Sequence, residues 1–207
     1  MPEESRSSRS FDRDEKKAAI ARAAIKVFAE KGIARAKMIE VARAAGIGKG
    51  TIYEYFRSKD ELFEFAVNQF FEALNLQLHR ELARTDDPTR QLEILVRTTF
   101  DSLKSSGPEM HIMFEIWAEG VRAGVEYFDL GAMYAAYREL IAAILVDGMR
   151  KGQFREVDPI SVAATIIGAL DGLLLQWILI EDALDLDRAP DEFVRLIMNG
   201  LSAKQES

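Results

Sequence analysis

Apolar residues recur along this chain at the spacing of α-helices. In the first clear run, Ile20, Ala24 and Phe28 lie four residues apart and form one apolar stripe, while the lysines and arginines between them fall on the other side. The pattern predicts an all-α fold of about nine helices and no convincing strand. The predicted helices cover roughly residues 12–31, 38–45, 49–56, 59–84, 88–105, 108–122, 126–151, 158–182 and 190–203.

Prolines and short polar residues mark where these helices begin. Four prolines precede long apolar runs, at the first helical position, where the missing N–H has no intrahelical acceptor in any case. Two aspartates stand just before two of them as N-caps, and two further pairs have the spacing of capping boxes. The prolines are Pro88, Pro108, Pro159 and Pro190, the N-caps are Asp87 and Asp158, and the pairs are Asp12 with Glu15 and Ser58 with Glu61.

Two stretches lack a helical pattern. Residues 1–11 are rich in Ser and Arg and predict a disordered tail. Residues 120–131 contain Gly120, Gly124 and Gly131 and fit either a loop or a broken helix. We therefore predict a tail over 1–11, a small helical domain over 12–58 and a larger helical domain over 59–207.

The second and third helices have the pattern of a helix-turn-helix. Met38, Val41 and Ala42 share one face, and Gly46 follows where the chain must turn sharply. In the third helix Ile52 and Phe56 point inward, which leaves the outer face polar and small. Such a helix can enter a DNA major groove, which is about 12 Å wide, and present short side chains to base edges.

The stretch GIGKGTIYEYFRSKDEL, residues 46–62, resembles the DNA-binding signature of the TetR family, with its Tyr-x-x-Phe and Ser-Lys-x-x-Leu elements in register. With the preceding helices the resemblance covers residues 12–62, about a quarter of the chain. It implies that Lys49, Gly50, Thr51, Tyr53 and Tyr55 face DNA and that Lys59 contacts a phosphate. Glu54 also points outward, where it could accept a hydrogen bond from a cytosine amino group.

The sequence departs from the family pattern at the start of the second helix. Ala36, Lys37 and Met38 stand where the family often has Ser or Thr. These three residues have no hydroxyl group to contact a phosphate, and Lys37 could replace such a contact electrostatically.

Charge is divided unevenly along the chain. The whole sequence carries a net charge of −7, but residues 1–59 contain 14 Lys and Arg against 8 Asp and Glu, a net +6. Residues 60–207 contain 13 against 26, a net −13. A basic N-terminal part on an acidic body fits an anion-binding module joined to a part that DNA repels. There is no cysteine and no signal-peptide pattern, so we expect a cytoplasmic protein.

Residues 158–182 form the most hydrophobic segment, which fits either a membrane span or a self-association face. Asp171 in its middle argues against a bilayer. Ala164, Gly168 and Gly172 form a row of small residues that lets two helices approach closely. The family resemblance implies that this helix and the last one form a four-helix dimer contact, in which the last helix contributes Phe193, Leu196, Ile197 and Leu201.

A set of aromatic and methionine residues in the middle helices suggests a ligand cavity, although most members of such a set are ordinary core residues. A carboxylate among aromatic rings favours a cationic, lipophilic ligand. The proposed ligand-binding residues are Phe100, Met110, Met113, Phe114, Trp117, Tyr134, Tyr137, Asp171 and Trp177.

We therefore expect a homodimeric transcriptional repressor that binds double-stranded operator DNA. An unidentified small molecule is expected to release it from the DNA, with co-repression left open. A helical protein-interaction module and a helical-bundle enzyme are the alternatives. The enzyme would need a catalytic constellation that the sequence lacks. His79 and His111 are not at metal-ligand spacing, so we expect neither a metal nor a cofactor.

Overall fold

A computed structural model describes residues 3–123, 129–180 and 184–203. These ranges form nine α-helices and a short 3-10 helix, Gly107–His111. The helices are α1 (Glu3–Lys31), α2 (Met38–Ala44), α3 (Lys49–Tyr55), α4 (Lys59–Leu82), α5 (Pro88–Ser106), α6 (Ile112–Ala123), α7 (Leu130–Arg150), α8 (Pro159–Leu179) and α9 (Ala189–Leu201). Within the described ranges the backbone pairing outside helices is one isolated antiparallel bridge, Phe154 with Ser202, so the all-α prediction is confirmed.

The helices form two compact units. The first comprises residues 1–73 and 108–129, and the second comprises residues 74–107 and 130–207. This division differs from the predicted boundary at residue 58, because α4 continues from one unit into the other and α6 packs with α1 in the first unit. Sequence periodicity identifies helices but carries no information on which helices pack together.

The first unit is built on the predicted stripe of α1. Ile20, Ala24 and Phe28 are almost completely buried. The ring of Phe28 meets the ring of Phe63 on α4 edge to face, with centroids 5.6 Å apart. Helix α1 also packs against α2, which packs against α3. This core fixes the small helices α2 and α3 on a longer scaffold, since a two-turn helix is marginal by itself.

Three of the predicted helix starts are capped as expected. Asp87 accepts a hydrogen bond from the backbone N–H of Thr89 at 3.2 Å, and Asp158 accepts one from Ser161 at 3.0 Å. Ser58 accepts one from the N–H of Glu61 at 3.0 Å. The carboxylate of Glu61 accepts from the N–H of Arg57 rather than from Ser58, at 2.7 Å. These caps satisfy N–H groups that the helices themselves cannot pair.

Two helix starts differ from the predictions. Helix α1 begins at Glu3, so residues 3–11 are helix where a disordered tail was predicted, and Asp12 forms an ion pair with Lys16 instead of capping a helix start. One backbone hydrogen bond per residue is gained when an existing helix is extended. Pro108 lies in the 3-10 helix, and α6 begins only at Ile112. Within the segment predicted as a loop or broken helix, residues 124–128 lie outside the described residues.

The core of the second unit lies between α5, α7, α8 and α9. Leu92, Leu95, Ile141, Leu145 and Ile166 are its buried centre. After α7 the chain turns at Gly152, which has a φ of +70°, and brings the ring of Phe154 against Gly148. A Cβ atom on Gly148 would lie 2.0 Å from that ring, so this packing depends on the absence of a side chain.

Candidate nucleic-acid interface and effector site

The turn between α2 and α3 sets the position of the proposed recognition helix. Gly46 has a φ of +69°, a backbone conformation that favours glycine. The N–H of Ile47 then donates to the carbonyl of Ala42 at 2.9 Å. Gly48 precedes α3 as its N-cap without a side-chain hydrogen bond. The predicted helix-turn-helix geometry is thus held by backbone contacts at glycines.

The two faces of α3 lie as the apolar pattern predicts. Ile52 and Phe56 are fully buried. The side chain of Tyr53 is 48% exposed, although tyrosine rings are usually more buried than this in a folded core. The remaining outer residues are Lys49, Gly50 and Glu54, which are exposed, and Thr51 and Tyr55, which are half-buried. Helix α3 therefore presents a continuous polar surface with one free aromatic ring.

Arg13 on α1 lies over the C-terminal end of α3, and the sequence analysis did not identify it. Its guanidinium donates to the backbone carbonyl of Glu54 at 3.1 Å and lies 5.5 Å from the centre of the Tyr55 ring. One face of Tyr55 is consequently covered by this cation. The residues are 41 positions apart, so no local pattern could have paired them.

Lys59 does not extend freely toward solvent. Its ammonium group donates to the backbone carbonyls of Ile33 at 2.7 Å, Ala34 at 3.2 Å and Ala36 at 3.4 Å. An ammonium group has three N–H donors, and these carbonyls accept all of them. The side chain predicted to contact a phosphate thus anchors the turn between α1 and α2 in this structure.

The start of α2 is organised by Glu40. Its carboxylate accepts hydrogen bonds from the Lys31 ammonium at 2.8 Å and from the backbone N–H of Lys37 at 3.0 Å. These two bonds, that of Lys31 first, lower the pKa of Glu40. The side chain of Lys37 is exposed.

Helix α6 contacts the same turn between α1 and α2. Glu115 accepts a hydrogen bond from the backbone N–H of Ile33 at 3.3 Å. Gly32 has a φ of +75°, and a Cβ atom there would lie 3.1 Å from a carboxylate oxygen of Glu115. The turn is thus held from α4 by Lys59 and from α6 by Glu115.

The nine proposed ligand-binding residues fall into both units. Met110, Met113, Phe114 and Trp117 belong to the first, and Phe100, Tyr134, Tyr137, Asp171 and Trp177 to the second. Phe100, Met110 and Met113 are buried as core side chains are. The rings of Phe114 and Trp117 meet edge to face at 5.6 Å. Trp177 is half-buried.

The second unit brings Tyr134 and Asp171 together, as the sequence analysis grouped them. The hydroxyl of Tyr134 on α7 donates to the Asp171 carboxylate on α8 at 2.8 Å. Burial raises the pKa of Asp171, and the hydrogen bond from Tyr134 opposes this only in part. One turn along α7, the Tyr137 hydroxyl donates to Asn75 at 2.8 Å, and burial raises the pKa of Tyr137. A half-buried carboxylate beside a tyrosine ring can attract a cation.

The outer face of α8 is apolar and open. By length and composition Pro159–Leu179 could cross a membrane, but its other face packs against α5 and α7. Ala164 and Gly168 are exposed, Gly172 is half-buried, and Cβ atoms on either glycine would meet no other atom within 4 Å. Leu179 at the end of the helix is 68% exposed.

Helix α9 carries the other proposed dimer residues. Phe193 and Ile197 are half-buried and pack against the core of their own unit. Leu196, between them, is 71% exposed. The apolar stripe of α9 is therefore covered in part by the chain's own core, and Leu196 adds an exposed apolar side chain to the second unit.

In the part of the chain that the structure describes, no three His, Asp or Glu side chains lie close enough together to hold a metal ion.

Comparison with known sequences matches two family profiles. Residues 20–66 match the profile described as bacterial regulatory proteins, tetR family. Residues 88–201 match the profile described as BetI-type transcriptional repressor, C-terminal. Among curated proteins, the HTH-type transcriptional repressor KstR2 of Rhodococcus jostii is 23% identical over 180 residues, which is 86% of each chain.

Solved structures share the fold over almost the whole length. A transcriptional regulator from Saccharomonospora viridis, in complex with choline, superposes with a TM-score of 0.83 at 20% identity over 92% of this chain and 100% of the other. The regulator FadR from Bacillus subtilis, in complex with stearoyl-CoA, superposes with a TM-score of 0.68 at 21% identity over 88% of this chain and 97% of the other.

Proposed function

This chain belongs to the TetR family of bacterial transcriptional regulators, and from this premise we propose that it is a homodimeric repressor whose two α3 helices bind operator DNA and which a small molecule releases. The exposed polar face of α3 is the observation that supports this proposal. Ile52 and Phe56 on the opposite face are buried and hold the helix against the core of its unit. Lys49, Gly50, Tyr53 and Glu54 are available to base edges and phosphates on that face.

The open apolar face of α8 supports a dimer, and the exposed Leu196 of α9 adds apolar surface to the same unit. A two-fold interface places the same residues of both chains against each other, and small residues allow the two α8 helices to approach closely. Two recognition helices in successive major grooves lie about 34 Å apart. The dimer thus makes two half-site contacts, which one chain alone cannot make.

The effector is proposed to be an organic cation that contacts Asp171 and Tyr134. Ionising a half-buried carboxylate costs solvation free energy, and a bound cation returns part of it. The choline bound to the Saccharomonospora viridis regulator has this chemistry, whereas the stearoyl-CoA bound to FadR is an anion that Asp171 would repel. The ligand acts by binding one of two conformations more tightly, with a coupling free energy of typically about 1–3 kcal/mol.

Binding to a duplex selected by the wild-type protein from a random-sequence library tests the DNA-binding proposal. We expect Tyr53→Ala to weaken binding at least tenfold, the scale of one lost base contact of about 1–3 kcal/mol. Leu76→Ala removes a similarly exposed apolar side chain from α4 in the second unit and serves as the control. Equal binding by the two variants would contradict the role of α3.

Thermal unfolding with choline or stearoyl-CoA as the probe tests the effector class. We expect choline at saturating concentration to raise the Tm of the wild type and to raise that of Asp171→Asn much less. Asp101→Asn changes an exposed carboxylate on α5 and is the matched control. A larger shift with stearoyl-CoA, unaffected by Asp171→Asn, would reject a cationic effector while leaving the DNA-binding proposal intact.

A further inference from the structure

We propose that Arg13 is part of the DNA interface: it fixes the C-terminal end of α3 and offers its remaining N–H donors to a backbone phosphate beside the groove. This inference rests on the proposed function and adds to α3 a contact from α1. Arg13 lies outside residues 20–66, which match the profile of the tetR family.

Arg13 contacts the C-terminal end of α3. The last carbonyls of an α-helix have no partner within the helix, and they form the negative end of its dipole. The last turn of α3 contains no basic residue of its own. Arg13 supplies the missing cation from α1, since its guanidinium donates to the Glu54 carbonyl at 3.1 Å.

The guanidinium of Arg13 is also oriented by the ring of Tyr55. It lies 5.5 Å from the centre of the Tyr55 ring, within the range of a cation–π contact. A guanidinium has five N–H donors, and the Glu54 carbonyl takes one. The described contacts of Arg13 are with Glu54 and Tyr55 and include no carboxylate, so its charge is not neutralised by an acid there.

Arg13 lies beside the exposed polar face of α3. Glu54, whose carbonyl Arg13 holds, is an exposed neighbour of Tyr53. When a recognition helix lies in the major groove, its ends approach the sugar-phosphate backbones on either side. An exposed guanidinium at that end is suited to bind phosphate through paired hydrogen bonds.

The experiment measures how binding to the selected duplex depends on salt, in Arg13→Ala, Arg13→Lys and Arg22→Ala. Arg22 is the matched control, because it is an exposed arginine on α1 that lies nine positions away. At about 100° per residue this places it on the opposite side of the helix. Unchanged circular dichroism and Tm establish that each variant folds.

We expect Arg13→Ala to weaken binding about tenfold and Arg22→Ala to leave it unchanged. Each phosphate contact contributes about −0.9 to the slope of log K against log salt concentration, so the dimer slope should become shallower by about 1.8. Arg13→Lys keeps the charge but not the planar stacking group, and should restore the slope while recovering only part of the affinity.

Two results overturn the inference. If Arg13→Ala binds as tightly as Arg22→Ala, Arg13 has no part in the interface. If Arg13→Ala weakens binding but keeps the wild-type slope, the residue is only a structural cap and contacts no phosphate. If the wild type and Arg22→Ala show no salt-dependent DNA binding, the proposed function fails as well, and that outcome is distinct from the other two.

Discussion

At the scale of single residues, the turn between α1 and α2 concentrates the polar contacts of the first unit. Lys59 donates to three carbonyls of this turn, and Glu115 accepts the N–H of Ile33. Since α2 begins directly after the turn and packs against α3, a shift of the backbone in the turn would also move α3. Charged side chains here position the backbone, and the ammonium group of Lys59 is engaged with carbonyls in this structure.

Gly32→Ala should lower the free energy of unfolding by more than an alanine substitution at another glycine with positive φ, such as Gly46. A residue with a side chain at a φ of +75° costs about 1–2 kcal/mol, and the new Cβ atom must also displace the Glu115 carboxylate, 3.1 Å away. Gly46→Ala is the control, because its φ is +69° but no atom lies within 4 Å of the Cβ position. Urea unfolding should give a lower midpoint for Gly32→Ala than for Gly46→Ala. Equal midpoints would mean that Glu115 moves aside without cost.

Asp171→Asn should stabilise the chain in a manner that depends on pH. Burial raises the pKa of Asp171, so the protonated form is favoured by folding. The stability that this provides is complete below the ordinary pKa of 3.8 and is lost as pH rises through the raised value. The asparagine never ionises and still accepts the Tyr134 hydroxyl, so its Tm should exceed that of the wild type at pH 7.

The gain in Tm of Asp171→Asn over the wild type should shrink as pH falls toward 4. The control variant Asp101→Asn should show no such trend. A gain that stays constant with pH would show that the Asp171 carboxyl is not responsible.

At the scale of helices, local signals were sufficient for some features and insufficient for others. Asp87 and Asp158 cap helices that begin at the next residue, and periodicity separated Ile52 and Phe56 from the outer face of α3. The hydrogen bonds of Arg13 and Lys59 join residues 41 and 23–26 positions apart. Such contacts arise from tertiary packing, and a periodic pattern carries no information on them.

The dimer residues on α9 show the same limit. Spacing alone placed Phe193 and Ile197 on an apolar stripe, which is correct. A stripe can be covered by the chain's own core or by a second chain, and the sequence does not distinguish the two. The structure leaves both residues half-buried against the core of their own unit and leaves Leu196 exposed, so their part in a dimer contact stays a prediction.

Gly148→Ala should weaken the packing between α7 and the turn that follows it. The added methyl would lie 2.0 Å from the Phe154 ring, and overpacking of this severity costs about 3 kcal/mol or more. Gly200→Ala on α9 is the control, since its Cβ position is open and alanine is favoured over glycine in a helix by about 0.5–1 kcal/mol. The two variants should shift the urea midpoint in opposite directions. Adding Phe154→Leu to Gly148→Ala should recover part of the loss.

At the scale of the whole molecule, charge and apolar surface are separated along the sequence. The basic residues concentrate in residues 1–59, and the acidic excess of residues 60–207 keeps nonspecific attraction to DNA low. The open apolar face lies on α8, which belongs to the second unit together with the exposed Leu196 of α9. In the proposed dimer, each chain would contribute one DNA-binding surface on α3 and one apolar surface on α8.

Leu179→Glu should dissociate the dimer without unfolding the chain. The side chain is 68% exposed in the single chain, so the substitution costs little there. In a two-fold interface it introduces two unpaired carboxylates into apolar surroundings, each costing several kcal/mol. Analytical ultracentrifugation should give twice the chain mass of 23.3 kDa for the wild type and the single mass for the variant.

Leu76→Glu is the matched control for this substitution, because Leu76 is 50% exposed on α4, outside the proposed interface, and should leave the dimer intact. For Leu179→Glu, operator binding should fall by more than the effect of removing any single contact on α3. A monomer loses the second half-site and the entropic advantage of linked binding. If Leu179→Glu remained a dimer that bound the operator normally, the two chains would have to associate through another surface. The exposed row on α8 would then need a different partner to cover it.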